Sequence, residues 1–380
     1  MRYKKFGNTG VEISVLGFGC MRFPMIRNGS KEYVDEDKSI EMLLRAYELG
    51  VNYFDTAYFY CDGQSETVLG KALKGIREKV YVSSKSPGHL VKKPGDYRRI
   101  LEEQLKKLDT DVIDFYHFHG IGYDSFYKNN DASGWLEEAQ KAKEEGLIKH
   151  ICFSFHDVPE SLSKLVDTGI FESLLCQYNA IDKSNAAGIT NAKGKGLGVI
   201  VMGPLGGGRV SGLPKEMAAR LGIKVKSSAE LALRFVLANQ DIDCALSGMS
   251  SLQMVEENIA TASNAAPLSE SEMTAVNEMM AENEKLANLY CTGCAYCLPC
   301  PAEVNIPHIF KAMNYHSVYG IEEYARNEYA GIGNQWIPGK NVLACTECGA
   351  CEKKCPQKLK IREQLKESHR ILVGKEACVV

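Results

Sequence analysis

Eight short strand-like runs, seven of them followed by helical spacing, are the strongest constraint on what this chain can fold into. The runs are Val15–Cys20, Asn52–Asp55, Val80–Ser84, Val112–His117, Ile148–Ser154, Leu174–Tyr178, Val199–Met202 and Cys244–Leu246. Helical patterning falls between them at 37–49 and 65–73, and near 97–108, 134–145, 159–168, 228–238 and 252–262. The first of these carries Ile40, Leu43, Leu44 and Tyr47 on one side and closes on Gly50 as a C-cap. Asp157-x-x-Glu160, Ser227-x-x-Glu230 and Ser269-x-x-Glu272 read as capping boxes. Eight strands alternating with helices over about 260 residues fit a (β/α)8 barrel in count and in length. An open doubly wound sheet would place Gly-x-Gly-x-x-Gly after its first strand. Gly17-Phe18-Gly19 lacks both the third glycine and the helix. Residues 1–15 read as a polar hairpin turning at Asn8-Thr9-Gly10.

The barrel does not use up the chain. At 380 residues there is more sequence than one core usually supports, so the expected division is a barrel over 1–267, a linking helix over 268–289, and a small, mainly α-helical domain over 290–380. Cysteine marks the last of these. Of 14 cysteines, eight fall in two runs: Cys291, Cys294, Cys297 and Cys300, then Cys345, Cys348, Cys351 and Cys355. The second run is C-x2-C-x2-C-x3-C-P, the spacing of bacterial [4Fe–4S] proteins, and the first is one residue short in its last gap. Three thiolates from one short loop can grip three irons of a cubane, the fourth coming from elsewhere. In two-cluster proteins of this kind the fourth cysteine ligates the other cluster. One cluster is therefore expected on Cys291, Cys294, Cys297 and Cys355, and a second on Cys345, Cys348, Cys351 and Cys300. Structural zinc, the competing reading, usually takes two separated C-x2-C pairs. With Asn305-Ile306-Pro307 opening a helix between the runs, the region resembles an α-helical ferredoxin module. The other six cysteines read as inert or core.

Composition is ordinary for a globular protein, with 45% hydrophobic and 24% charged residues. A net charge of -3 gives no reason to expect a nucleic-acid partner. No apolar run approaches the roughly 18 residues of a membrane span, and the first residues lack the apolar centre of a signal peptide. The expectation is a cytoplasmic protein.

Strand ends carry the chemistry. Asp55 ends the second strand, five residues before Tyr60; Lys85 ends the third; His119 ends the fourth in Asp114-Phe115-Tyr116-His117-Phe118-His119. Taken singly, each has a plainer reading: a solvated lysine, a core tyrosine, a packing histidine at His117. Together and in this order they resemble the aldo-keto reductase family, whose Asp/Tyr/Lys/His tetrad matches Asp55, Tyr60, Lys85 and His119 over roughly residues 1–265. That resemblance implies carbonyl–alcohol interconversion. A tyrosine with an ordinary pKa near 10 can protonate a nascent alkoxide only if its anion is stabilised. Lys85 would lower that pKa, Asp55 would keep the ammonium charged and oriented, and His119 would orient the carbonyl.

The same resemblance implies a nicotinamide cofactor. Ser154 and Gln177 match positions that hold its carboxamide, although Phe155 stands where asparagine is usual. Gly19 and Cys20 align with cofactor-contact positions, and Met202 replaces a stacking aromatic. Gly203-Pro204-Leu205-Gly206-Gly207-Gly208 offers backbone amides, with Gly203, Leu205 and Gly206 as expected contacts for a pyrophosphate. Gly248, Ser250, Glu257 and Asn258 occupy the adenosine segment. Gly248 and Met254 stand where NADPH-preferring members place lysine and arginine, so NAD(H) is slightly favoured over NADP(H). A hydride carries two electrons and a cubane carries one. A flavin would bridge that gap, but no residue pattern identifies a site for one. Residues 285–380 hold 12 Lys/Arg against 9 Asp/Glu. That excess either offsets cluster charge or offers a docking face to an acidic ferredoxin or flavoprotein carrier. Two other functions stay open: a plain NAD(P)H reductase with structural or sensing clusters, and a non-catalytic electron-transfer or regulatory protein.

Overall fold

The computed structural model describes residues 1–28, 31–180, 182–205, 222–288, 291, 297–317, 319–334, 336–355 and 359–373. The chain divides into two compact units, Met1–Gly207 with Ala229–Ser269, and Gly208–Ser228 with Glu270–Val380.

In the first unit the eight expected strands are present: β1 (Leu16–Gly19), β2 (Tyr53–Asp55), β3 (Tyr81–Pro87), β4 (Ile113–Ile121), β5 (Ile148–Phe155), β6 (Ser173–Gln177), β7 (Gly198–Met202) and β8 (Cys244–Gly248). Each pairs in parallel with the next, and β8 pairs with β1 to close the barrel. Around it lie α1 (Glu36–Glu48), α2 (Ser65–Leu73), α3 (Asp96–Leu108), α4 (Tyr123–Ser133), α5 (Trp135–Glu144), α6 (Pro159–Asp167), α7 (Ala186–Gly194), α8 (Ser228–Ala238) and α9 (Leu252–Asn264). Helix α3 illustrates the logic, burying Tyr97, Ile100, Leu101, Leu105 and Leu108 at i, i+3, i+4 spacing while its lysines and glutamates face water.

The N-terminal hairpin, Tyr3–Lys5 against Glu12–Ser14, forms as expected. Its outer side is exposed at Tyr3, Lys5 and Glu12, but its turn reaches the core: Phe6 is fully buried and packs edge-on against Tyr53 and Phe115, with ring centres 6.0 and 4.9 Å away. Gly198 makes room for it, since a Cβ there would lie 2.3 Å from the Phe6 ring.

One local expectation fails and three elements are unforeseen. The capping box at Asp157 does not form, because α6 starts at Pro159 with proline in its first turn and Val158 as cap; Asp157 instead accepts from the Val158 N–H at 2.8 Å. Helices α4 and α7 and a second hairpin, Met25–Asn28 with Lys31–Val34, stand where none was foreseen. Helix α4 is rich in Asn, Asp and Ser, and only Phe126 and Ser133 of it are buried, so no apolar period announces it.

The second unit contains α10 (Glu270–Asn288), α11 (Ile306–Ser317), α12 (Glu322–Ala330), α13 (Ala350–Lys354) and α14 (Ile361–Val373). It has its own core, centred on Ile306, Ile309, Phe310, Tyr315, Tyr329, Leu365 and Leu372. Asn305 opens α11 by accepting from the His308 N–H. No helix among the described residues is long and apolar enough to cross a membrane.

Candidate functional site

Four sequence-predicted side chains converge at the C-terminal ends of β2, β3 and β4. Lys85 is 1% exposed, and its ammonium donates to Asp55 Oδ1 at 2.6 Å and to the Thr56 carbonyl at 2.7 Å. Its remaining N–H faces the Tyr60 hydroxyl, with Nζ 4.8 Å from the centre of the Tyr60 ring. His119 meets the same ring edge-on, centre to centre 6.2 Å. Burial pulls the Lys85 ammonium down, but Asp55 and Tyr60 outweigh it and the lysine stays charged. Burial likewise pushes the Tyr60 phenol up, and Lys85 only partly draws it back. The expected net lowering is therefore absent, and the phenol rests protonated at neutral pH. Burial, then Lys85, holds His119 down to about 3, so its imidazole is neutral at neutral pH.

The loop after β2 is tied down to aim Tyr60. Thr56 Oγ1 and Ser65 Oγ lie 2.8 Å apart, and Ser65 donates on to the Cys20 carbonyl. Cys61, Asp62 and Gly63 then take left-handed backbone in succession, a conformation that costs the two non-glycine residues free energy. Behind Lys85 the strand alternates. Ser84 points outward to the fully buried Glu66, donating at 2.6 Å, and Gln104 bonds both Glu66 and the Lys85 carbonyl. Ser83 points inward to Asp55 Oδ2 at 2.8 Å, with His117 Nδ1 3.2 Å from its hydroxyl. Sequence reasoning missed Ser83; the signal available was that it lies two residues before Lys85 and so shares its face.

Positions expected to hold a nucleotide gather at the neighbouring strand ends. Gly248 of β8 and Gly19 of β1 are register partners, and Gly19 also pairs with Asp55. Gly203 follows β7 with φ +63°, so close to Gln177 that a Cβ would stand 2.6 Å from its side-chain oxygen. Three positions without side chains thus leave backbone open beside Gln177 and the half-buried Met202, an edge that suits a flat, polar ligand. Ser154 is buried and accepts from the Gly120 N–H at 2.7 Å. The Cys20 thiol is fully buried, and burial pushes its pKa well up. Asn258 turns inward to Ser247, Glu257 is exposed and accepts from Gln253, and Ser250 donates to Met254. The stem of Arg22 lies against Gly248, a neighbour not anticipated. Leu205 is half-buried, and Gly206 lies outside the described residues.

In the second unit Cys297, Cys300, Cys345, Cys348 and Cys351 line one cavity with Arg362 and Leu365. Cys297 and Cys300, from the first run, are thereby both brought to three cysteines of the second. Cys291 and Cys355 pack against the same core, and Cys294 lies outside the described residues. Gly349 turns the chain at φ +69° into α13, whose Ala350 N–H points back at Cys348 and holds that thiol below its ordinary pKa. Among the described residues no three His, Cys, Asp or Glu side chains converge on a single-ion position. Thiols spread around a shared cavity, with backbone N–H groups aimed at sulfur, fit a multi-iron cluster. Arg362 is clamped over the cavity by Glu352, 2.8 Å from Nη2. Of the cysteines outside the two runs, Cys152, Cys176 and Cys244 are buried like Cys20, Cys61 is partly buried, and Cys378 lies outside the described residues.

Comparison with known proteins agrees with both halves. Residues 15–281 match the aldo/keto reductase family, and residues 290–361 match a 4Fe-4S dicluster domain. The chain is similar to L-galactose dehydrogenase of Arabidopsis thaliana, 30% identical over 297 residues that span 71% of this chain and 91% of that protein. It is also similar to the uncharacterized oxidoreductase YqkF of Bacillus subtilis, 26% identical over 72% of this chain and 94% of that one. Among solved structures, the holo form of aldo-keto reductase AKR11C1 from Bacillus halodurans superposes with a TM-score of 0.61 at 26% identity, covering 73% of this chain and 96% of that one. The chain belongs to the aldo/keto reductase family, as an oxidoreductase extended by a C-terminal 4Fe-4S dicluster domain.

Proposed function

We propose that the barrel interconverts a small-molecule carbonyl and its alcohol, with Tyr60 as general acid in reduction and general base in oxidation. The observation that carries this is the buried Lys85 ammonium, fixed between Asp55 and Tyr60. When bound, a nicotinamide supplies or accepts the hydride and the clusters carry single electrons. Tyr60 gives its proton to the alkoxide oxygen, and Lys85, close at hand, offsets the charge left on the phenolate. His119, neutral, hydrogen-bonds the carbonyl oxygen and sets its direction. Ser154, Gln177 and Met202 would place the nicotinamide ring, Gly19 and Gly203 its flanking backbone, and NADH serves at least as well as NADPH because neither Gly248 nor Met254 brings a charge to a 2′-phosphate. The cluster ligands are assigned as Cys345, Cys348, Cys351 and Cys300 for one, and Cys291, Cys294, Cys297 and Cys355 for the other. The exposed Cys348 supports exchange of electrons with an outside carrier of ferredoxin or flavoprotein type rather than a purely structural role. The test is anaerobic turnover of the full chain with NADH and 4-nitrobenzaldehyde, with the alcohol quantified. One alcohol formed per NADH consumed is the expected result; NADH left unoxidised, or consumed without alcohol, overturns the reading.

A further inference from the structure

Two buried polar side chains beneath the tetrad have no part in the chemistry above. Ser83 and His117 are both fully buried. Asp55 presents one oxygen to each side: Oδ1 takes the Lys85 ammonium at 2.6 Å, and Oδ2 takes the Ser83 hydroxyl at 2.8 Å. A carboxylate only accepts, so the single Ser83 proton is spent on Asp55. The contact of 3.2 Å between Ser83 Oγ and His117 Nδ1 must then run the other way, with the imidazole donating. That fixes the histidine as its Nδ1–H tautomer and leaves Nε2 bare. Consistent with this, His117 Nε2 is buried and meets no hydrogen-bond partner among the described residues.

We propose that Ser83 and His117 are positioning residues, a donor chain from His117 through Ser83 to Asp55 that fixes the carboxylate and tempers the negative charge it exerts on Lys85 and Tyr60. The placement follows from strand parity. Ser83 and Lys85 share the inward face of β3, and His117 and His119 share that of β4, with Lys85 and His117 in register across the two strands. The titratable groups around His117 and its Ser83 partner are Asp55 and Tyr53 from β2, Lys85 from β3, His119 from its own strand, and Cys152 opposite on β5. Burial, then Lys85, holds His117 down to about 3, so it stays neutral and acts through its tautomer rather than its charge. A pair of residues that merely filled the barrel would have no need of this directionality.

The inference rests on Tyr60 being the proton donor, and Tyr60→Phe is the control for that reading. Removing the Ser83 hydroxyl leaves more of the Asp55 charge acting on Tyr60, which makes the phenol harder to ionise. In NADH-dependent reduction of 4-nitrobenzaldehyde, Ser83→Ala should move the alkaline limb of the pH profile up by about one unit, the size expected of a hydrogen bond to a charged group. His117→Leu should move it the same way but less, and His117→Asn, whose amide N–H replaces Nδ1–H, should restore it. Unmoved limbs in Ser83→Ala and His117→Leu, with Tyr60→Phe inactive, would overturn the proposal and leave the reading intact. An active Tyr60→Phe would overturn the reading instead. Independently of any variant, nitrogen-15 NMR of histidine-labelled full chain should show His117 protonated on Nδ1 at neutral pH; a proton on Nε2 refutes the chain.

Discussion

Replacing Asp55 by Asn tests how the tetrad is held. Lys85 and Asp55 side chains are 1% and 4% exposed, and their contact is 2.6 Å. Removing one charge of such a pair leaves the other buried and uncompensated, at a cost of about 3–5 kcal/mol. The ammonium can escape that cost by losing its proton. That cost pulls the Lys85 pKa down, so the variant's lysine gives up its proton at a lower pH than in the unmodified protein. Once neutral, Lys85 no longer stabilises the Tyr60 phenolate, and the proton-transfer contribution of roughly 10²- to 10⁴-fold is lost. The assay is the pH profile of aldehyde reduction beside urea unfolding at two pH values. Reduction should fall by that factor at pH 8 and recover in part at lower pH, where Lys85 regains its proton. The variant should also lose stability as pH falls from the alkaline range to neutral, and at the lower pH should be weaker than the unmodified protein because the buried charge is then carried alone. A profile and an unfolding midpoint that both match the unmodified protein would refute the reasoning.

Three further outcomes follow. Cys300→Ser should remove the cluster grouped around Cys345, Cys348 and Cys351, lowering iron from about eight to about four per chain while aldehyde reduction persists; iron content that does not change refutes the cross-run ligation. His117 and His119 are both held down to about 3 by burial, against an unfolded value near 6.5. Between those limits the unfolded chain binds more protons, so stability is complete above 6.5 and falls as pH drops toward 3. The slope is up to about 1.4 kcal/mol per pH unit for each histidine, and His117→Asn should remove one histidine's share in acid-denaturation curves. NADH should match or exceed NADPH in kcat/KM. A clear NADPH preference contradicts that expectation, and Arg22, whose stem lies on Gly248, would be the cation to replace first.

The barrel was legible because its signals are physical necessities: strands short enough to cross a barrel, apolar helix faces between them, and a polar residue closing several of the strand runs. Asp55, Lys85 and His119 stood out because a titratable side chain closing a strand run has no packing role. Partners inside the barrel were harder to see. In Ser83-Ser84 both residues look alike, yet parity sends one to Asp55 and the other to Glu66, and only the pairing of β3 with its neighbours shows which matters. Tyr60 carries the opposite lesson. Its lysine was foreseen, but the net direction of its pKa depends on how much of the ring is dry, which no spacing encodes. Helix α4 escaped because tertiary contacts at Phe126, rather than an apolar stripe, hold it.

The central claim is that Tyr60, backed by the Lys85 ammonium, delivers the proton in carbonyl reduction. Tyr60→Phe removes one oxygen atom and leaves the ring to pack. Single-turnover oxidation of NADH by 4-nitrobenzaldehyde should then fall to background, while iron and sulfide per chain stay at the unmodified level. Turnover at the unmodified rate, with the hydroxyl gone, would contradict the account.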